Sequence, residues 1–104
     1  MTYANNGWTA LAEPTRRSIF ERLLERPASV TEIAADLPIS RPAVSQHLKV
    51  LKDAGLVADT PAGKQRIYRV DTAGLAVFRA ELDLFWSRAL TAYKPIAEQS
   101  GEKT

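Results

Sequence analysis

The sequence predicts a mainly α-helical domain with one small β-hairpin, its elements ordered α-α-α-α-β-β-α within a single domain over residues 1–104. Three observations predict it. Apolar residues recur at helical spacing in segments punctuated by Pro14, Pro27, Pro38 and Gly55. Two capping serines, Ser29 and Ser40, open short segments separated by only a few residues, as in a helix-turn-helix. Beyond Gly55 the apolar period falls to that of strands over "LVADT" and "QRIYRV", and a long helical run then resumes.

Each element follows from local chemistry. "GWTALAEP" reads as a first short helix with Trp8, Leu11 and Ala12 on one side, ending before Pro14. Pro14 suits the opening turn of the next helix, where its fixed φ helps and its missing N–H is no loss. Ile19, Phe20, Leu23 and Leu24 give that helix its core face, and Pro27 closes it. In "SVTEIAADL" the Ser29 hydroxyl accepts from the Glu32 N–H while the Glu32 carboxylate reaches back to the Ser29 N–H, a capping box. It starts a third helix with Ile33 and Leu37 inward. "PIS" is a tight connection, and Ser40 caps a fourth helix whose buried stripe is Val44, Leu48 and Leu51 and whose terminator is Gly55.

The hairpin loop is expected to be "PAGK", about four residues long. In the second strand Tyr68 and Val70 share one face and Ile67 and Arg69 the other. Asp71 caps the last helix, where Leu75, Phe78, Leu82, Phe85, Ala89, Ala92 and Ile96 keep a three-four spacing. Trp86, Leu90 and Tyr93 widen that stripe beyond what one packed face needs, so the surplus is a candidate interface. Pro95 is expected to kink or end this helix and leave "EQSGEKT" as a frayed tail.

With 45% hydrophobic and 25% charged residues, the composition excludes a disordered chain. The absence of cysteine removes disulfides, thiolate metal sites and cysteine nucleophiles together. No basic segment followed by an apolar run opens the chain, and no window approaches a membrane span. A cytoplasmic protein with no membrane partner is expected. The net charge of +2 and the pI near 9.2 permit a polyanionic partner without demanding one. The charge is concentrated, however: from Ser40 to Val70 Arg41, Lys49, Lys52, Lys64, Arg66 and Arg69 face only Asp53 and Asp59.

The segment "ISRPAVSQHLKVLKDAGLV" carries the functional signal. A surface helix normally mixes Glu with Lys, yet this one shows Ser40, Arg41, Ser45, Gln46 and Lys49 with no carboxylate before Asp53. Such a helix fits the major groove of double-stranded DNA, where acidic side chains would repel the backbone. Gln46 matches adenine, Arg41 guanine, and Ser45 either base or a phosphate; Pro42 shares the same first turn. Lys64 near the hairpin tip, with Arg66 and Arg69 along it, suits the DNA backbone or the neighbouring minor groove as a wing. The element order is that of a winged helix-turn-helix.

Plainer readings stand beside these. His47 lies at the edge of the buried stripe, which fits a packed or hydrogen-bonded histidine better than a DNA contact, although it borders the DNA-facing set. Ser40 serves first as a cap. Arg16 and Arg17 fit phosphate contacts and a solvated or ion-paired face, with Glu13 or Glu21, about equally well. Phe78, Phe85, Trp86 and Tyr93 fit a dimer core better than a ligand pocket.

"TALAEPTRRSIFERLL", "SVTEIAADLPISRPAVSQHLKVLKDAGLV" and "GKQRIYRV" together resemble the ArsR-type winged-helix transcriptional repressors over most of the chain. The resemblance implies a bacterial homodimeric repressor that binds a palindromic operator through the helix from Ser40. It also implies that the outer helices make the dimer, here through Trp8, Leu11, Phe78, Leu82, Phe85, Trp86, Ala89 and Tyr93. Two departures bear on metals. The metalloid sensors of that family carry cysteine in the third helix, where this chain has Ala34 and Ala35. Other members bind zinc through His and Asp pairs on the last helix, which here has no histidine. No metal and no cofactor are expected, no residue singles out a small-molecule effector, and the metal-free branch that includes autorepressors is the nearer match.

Catalysis has no support: there is no Gly-rich phosphate loop, no paired carboxylates beside a base, and one histidine on a helix with another use. The remaining alternative is a winged helix that contacts protein rather than DNA.

Overall fold

The computed structural model describes residues 7–102, with side chains described from residue 7 to residue 93. The elements run α1 (Gly7–Ala12), α2 (Pro14–Glu25), β1 (Ala28–Ser29), α3 (Val30–Asp36), α4 (Arg41–Asp53), β2 (Val57–Ala62), β3 (Gln65–Val70) and α5 (Thr72–Glu102). This is the expected winged helix-turn-helix, with one strand more than the sequence disclosed.

The helix starts use the expected chemistry. Pro14 opens α2, and the Glu13 carboxylate accepts from the Arg16 N–H at 2.7 Å. Both halves of the Ser29–Glu32 capping box form, at 2.9 and 3.2 Å. Ser40 Oγ accepts from the Ala43 N–H at 3.3 Å, and Asp71 Oδ1 from the Gly74 N–H at 3.1 Å. At the end of α4, the Gly55 N–H donates to Lys52 O and the Leu56 N–H to Leu51 O, with Gly55 at φ 80°. That is a Schellman closure, and it turns the chain into β2.

Ile19, Ile33, Val44, Leu48, Leu51 and Leu56 are wholly buried, and Phe20, Leu23, Ala28 and Val57 complete the core. Each such aliphatic side chain contributes on the order of 1.5–3 kcal/mol through burial. Two sequence assignments fail at the margins of this core. Leu24 is 57% exposed, because α2 has a single inward face that Ile19, Phe20 and Leu23 already fill. In α1 it is Gly7 and Ala10 that turn inward, while Ala12 is exposed.

The sheet has order β1-β3-β2 and is antiparallel throughout. β1 contributes only two pairs, Ala28 with Tyr68 and Ser29 with Ile67, too short to carry an apolar period. The hairpin is tighter than expected. Pro61 and Ala62 pair with Arg66 and Gln65, leaving Gly63 and Lys64 as a two-residue turn. Gly63, at φ 64°, supplies the positive φ such a turn needs, and Pro61 is tolerated because β2 is an edge strand. Tyr68 and Val70 share one sheet face as expected, and it is this face that packs on the core.

Pro95 does not end α5, which continues to Glu102 and takes in most of the expected tail. A proline inside a helix removes one N–H donor, and the helix can continue around that single gap. Lys103 and Thr104 lie outside the described residues.

Candidate nucleic-acid interface

The first three turns of α4 present their polar residues outward. Arg41, Pro42, Ser45, Gln46 and Lys49 are exposed, as is the cap Ser40, while Val44, Leu48 and Leu51 hold the opposite side in the core. Lys49 is paired with Asp53 at 3.1 Å, an exposed i,i+4 contact of about 0.2–0.5 kcal/mol that a phosphate would readily displace. His47 is half-buried, its Nδ1 3.4 Å from Arg16 Nη1, which places it at the seam with α2 rather than on the open face.

The wing divides the three cations expected of it. Arg66 shares a sheet face with Asp59, Tyr68 and Val70, and its guanidinium is bound to the Asp59 carboxylate. Lys52, near the end of α4, reaches the same carboxylate at 2.9 Å, and the Asp59 side chain is only 4% exposed. The Arg66 and then the Lys52 hydrogen bonds hold the Asp59 carboxyl below the usual carboxylate range, and Arg66 is pushed above its own. Arg66 is therefore held within the wing, and Lys52 ties the wing to α4 through the same carboxylate. Lys64 sits in the turn at the tip, and Arg69 lies on the opposite sheet face, 3.5 Å from the Thr60 hydroxyl. Arg41, Lys64 and Arg69 have no carboxylate partner among the described residues.

The structure brings the wing tip and α4 to one cleft. It holds about 310 Å³ and is walled by Ser29 and Thr31 at the start of α3, Ser45 of α4, and Lys64, Arg66 and Tyr68 of the wing. Ser45 and Lys64 thus line one concave surface, a relation that the sequence does not state.

Sequence reasoning missed the residues that hold this surface in place. Arg22 is buried and donates from Nε to Asp36 at 2.7 Å and from Nη1 to Arg26 O at 3.2 Å, stapling α2 to α3. Its i,i+4 neighbours in sequence gave no hint of a partner in the next helix. Arg16 and Arg17 contact neither Glu13 nor Glu21 through their side chains. Arg16 Nε donates to Ala10 O at 2.8 Å and Arg17 Nη1 to Leu11 O at 3.3 Å, so α2 caps the free carbonyls of α1. His47 and Arg16 are in this way tied to the placement of α1.

α1 in turn meets α5. The Trp8 ring lies edge-on to Phe78 and Phe85, with centroids 5.6 and 5.3 Å apart. Leu11, Leu82 and Ala89 are half-buried, whereas Phe85, Trp86, Leu90 and Tyr93 are more than half exposed. Val77 and Leu84, which the stripe did not include, add to the exposed apolar area. Among the described residues no three of His, Cys, Asp and Glu converge, and no helix is long and apolar enough to cross a membrane.

Residues 11–60 match the model of a helix-turn-helix domain. Over 100 residues the chain is 56% identical to the HTH-type transcriptional regulator Rv2034 of Mycobacterium tuberculosis, covering 96% of this chain and 94% of that one. The solved structure of the ArsR-like transcriptional regulator from Rhodococcus sp. RHA1 superposes with a TM-score of 0.73 at 35% identity, over 92% of this chain and 95% of that one. The chain belongs to the ArsR-type family of winged helix-turn-helix transcriptional regulators. This ArsR-type regulator is also 35% identical over 71 residues to the transcriptional repressor SdpR of Bacillus subtilis, covering 68% of this chain and 79% of SdpR. It is a DNA-binding transcriptional regulator.

Proposed function

We propose that this regulator is a cytoplasmic homodimeric repressor that binds an imperfect palindrome, placing α4 of each protomer in successive major grooves. The observation that carries the reading is the exposed polar face of α4, free of carboxylates before Asp53, whose Ser45 lines the same cleft as Lys64 of the wing, a cation with no carboxylate partner among the described residues. Gln46 and Arg41 read bases there; Ser40, Ser45, Lys49, Lys64 and Arg69 meet phosphates. Pro42 holds the first turn. His47 acts from behind that face against Arg16, while Arg66, held by Asp59, walls the cleft beside Lys64.

Dimerisation through α5 and Trp8 is supported by the exposed Phe85, Trp86, Leu90 and Tyr93, each worth on the order of 1.5–3 kcal/mol when buried. Repression is supported by the likeness to SdpR, named a transcriptional repressor. Binding needs no metal or cofactor on this reading, since base and phosphate contacts come from the side chains named.

The test is selection of bound duplexes from a random pool at moderate salt, followed by a salt titration on the selected sequence. A palindrome with half-sites about 34–36 Å apart is expected. Sequence-blind binding, or none at any salt, would instead favour a winged helix that docks on protein.

A further inference from the structure

The start of α5 meets the turn that follows α4 backbone to backbone. The Asp71 N–H donates to Leu56 O at 2.9 Å, and the Asp71 carboxylate caps the Gly74 N–H. A Cβ added at Gly74 would overlap the carbonyl oxygen of Gly55 and lie 2.7 Å from its carbonyl carbon. No rotamer change relieves such a contact, because both sides of it are main chain.

Gly74 has no conformational need to be glycine. Its φ is not positive, and within a helix alanine is the better former. Only the close approach to Gly55 requires the missing side chain. The helix that reads DNA and the helix that carries the exposed apolar face are therefore set against one another at a fixed point.

Past this point α5 keeps few attachments to its own domain. Leu75 and Phe78 pack on the core, Trp8 meets Phe78 and Phe85, and Gly7 lies so close to the Phe78 ring that a Cβ there would sit 2.8 Å from Cε1. At about 1.5 Å of rise per residue, Trp86 is roughly 18 Å along the axis from Gly74, so a small rotation at the start is magnified at the apolar face.

We propose that the Gly55–Gly74 contact is the joint that sets how far apart the two α4 helices sit in the dimer, making Gly74 a positioning residue for operator half-site spacing. The proposal rests on the dimeric DNA-binding reading above. Restoring ordinary 3.4–4 Å contact around a Cβ at Gly74 moves the two backbones apart by roughly 2 Å.

The chain has no cysteine, so Lys49→Cys gives a single spin-label site per protomer on the exposed face of α4. The label-to-label distance in the dimer is measured by pulsed electron spin resonance, alone and combined with Gly74→Ala. Half-site spacing is measured on duplexes in the unlabelled protein and in Gly74→Ala without the label substitution. The expected Gly74→Ala protein stays folded and dimeric by sedimentation and shifts the label distance by several ångströms. It binds the original operator about tenfold more weakly, or prefers a spacing changed by about one base pair, while its affinity for random duplex is retained.

Asp71→Ala removes the carboxylate cap on the Gly74 N–H and so loosens the first turn of α5 beside the joint, while keeping the Asp71 N–H bond to Leu56 O and adding no Cβ at Gly74; it should broaden the distance distribution, and if Gly74→Ala does not fold, this variant decides. An unchanged distance and unchanged spacing preference overturn the joint. A monomeric parent protein, or one that binds no duplex, overturns the dimeric DNA-binding reading first and the joint with it.

Discussion

The α4–wing unit and α5 are both helical surfaces, yet they are finished to different degrees. In the first, every long apolar side chain of α4 is turned into the core, and the wing is braced by the Lys52–Asp59–Arg66 cluster. What remains outside is polar and cationic. In the second, Phe85, Trp86, Leu90 and Tyr93 stay more than half exposed although the helix has already spent Leu75 and Phe78 on the core. A surface complete in itself suits a partner that comes and goes, and phosphate and base edges suit its chemistry. A surface with unburied aromatics suits a permanent partner, and a second copy offers the same face in return. On the proposed reading, the difference gives DNA binding to one unit and assembly to the other.

The largest blow to this division would come at α5. Trp86→Glu should give monomers in sedimentation and cost at least about a hundredfold in operator affinity, since it buries an unpaired charge and removes one half-site. Retained dimers would move the seam elsewhere. Gln46→Ala should leave the dimer intact and cost about 1–3 kcal/mol at particular base positions, relaxing preference there. An equal loss on every sequence would make Gln46 a backbone contact instead.

The brace can be separated from both by pH. Asp59 has its folded-state pKa lowered by Arg66 and Lys52, so its contribution to stability is fully present above the unfolded value of about 3.9 and is lost as pH falls through the lower folded value. Asp59→Asn should lower the melting temperature modestly at neutral pH and flatten the loss of stability on acidification below about pH 4. An identical acid profile for the variant and the parent would take Asp59 out of the account. Smallest of all, Lys64→Ala should weaken all duplexes about equally and reduce the log–log salt slope by roughly 0.9 for each copy bound. An unchanged slope would free the wing tip from the phosphates.

Much of the fold was legible because it is written in local chemistry. The caps at Ser29, Ser40 and Asp71, the Gly55 terminator and the Val44–Leu48–Leu51 stripe all depend on neighbours within one turn, and all form. What was missed depends on distant partners. β1 exists only because Tyr68 and Ile67 come alongside, Leu24 is exposed because three neighbours fill the face available, and Gly63 tightens a turn that its flanking Pro61 seemed to lengthen. The candidate site divides in the same way. The outward residues of α4 follow from helical spacing, whereas the capture of Arg66 by Asp59 follows from strand register, which composition does not reveal. Arg16 and Arg17 fitted phosphate contacts and a solvated or ion-paired face equally well, and Arg22 carried no assignment; in the structure the three join α1, α2 and α3.

The central claim is that a polar reading face is presented twice by one apolar seam. The most direct test is sedimentation of the protein on duplexes carrying one or two copies of the selected half-site, centred about 34–36 Å apart. Two protomers on the double site, bound far more tightly than on the single site and released together by Trp86→Glu, is the predicted result. One protomer per duplex, or equal affinity for single and double sites, would contradict it.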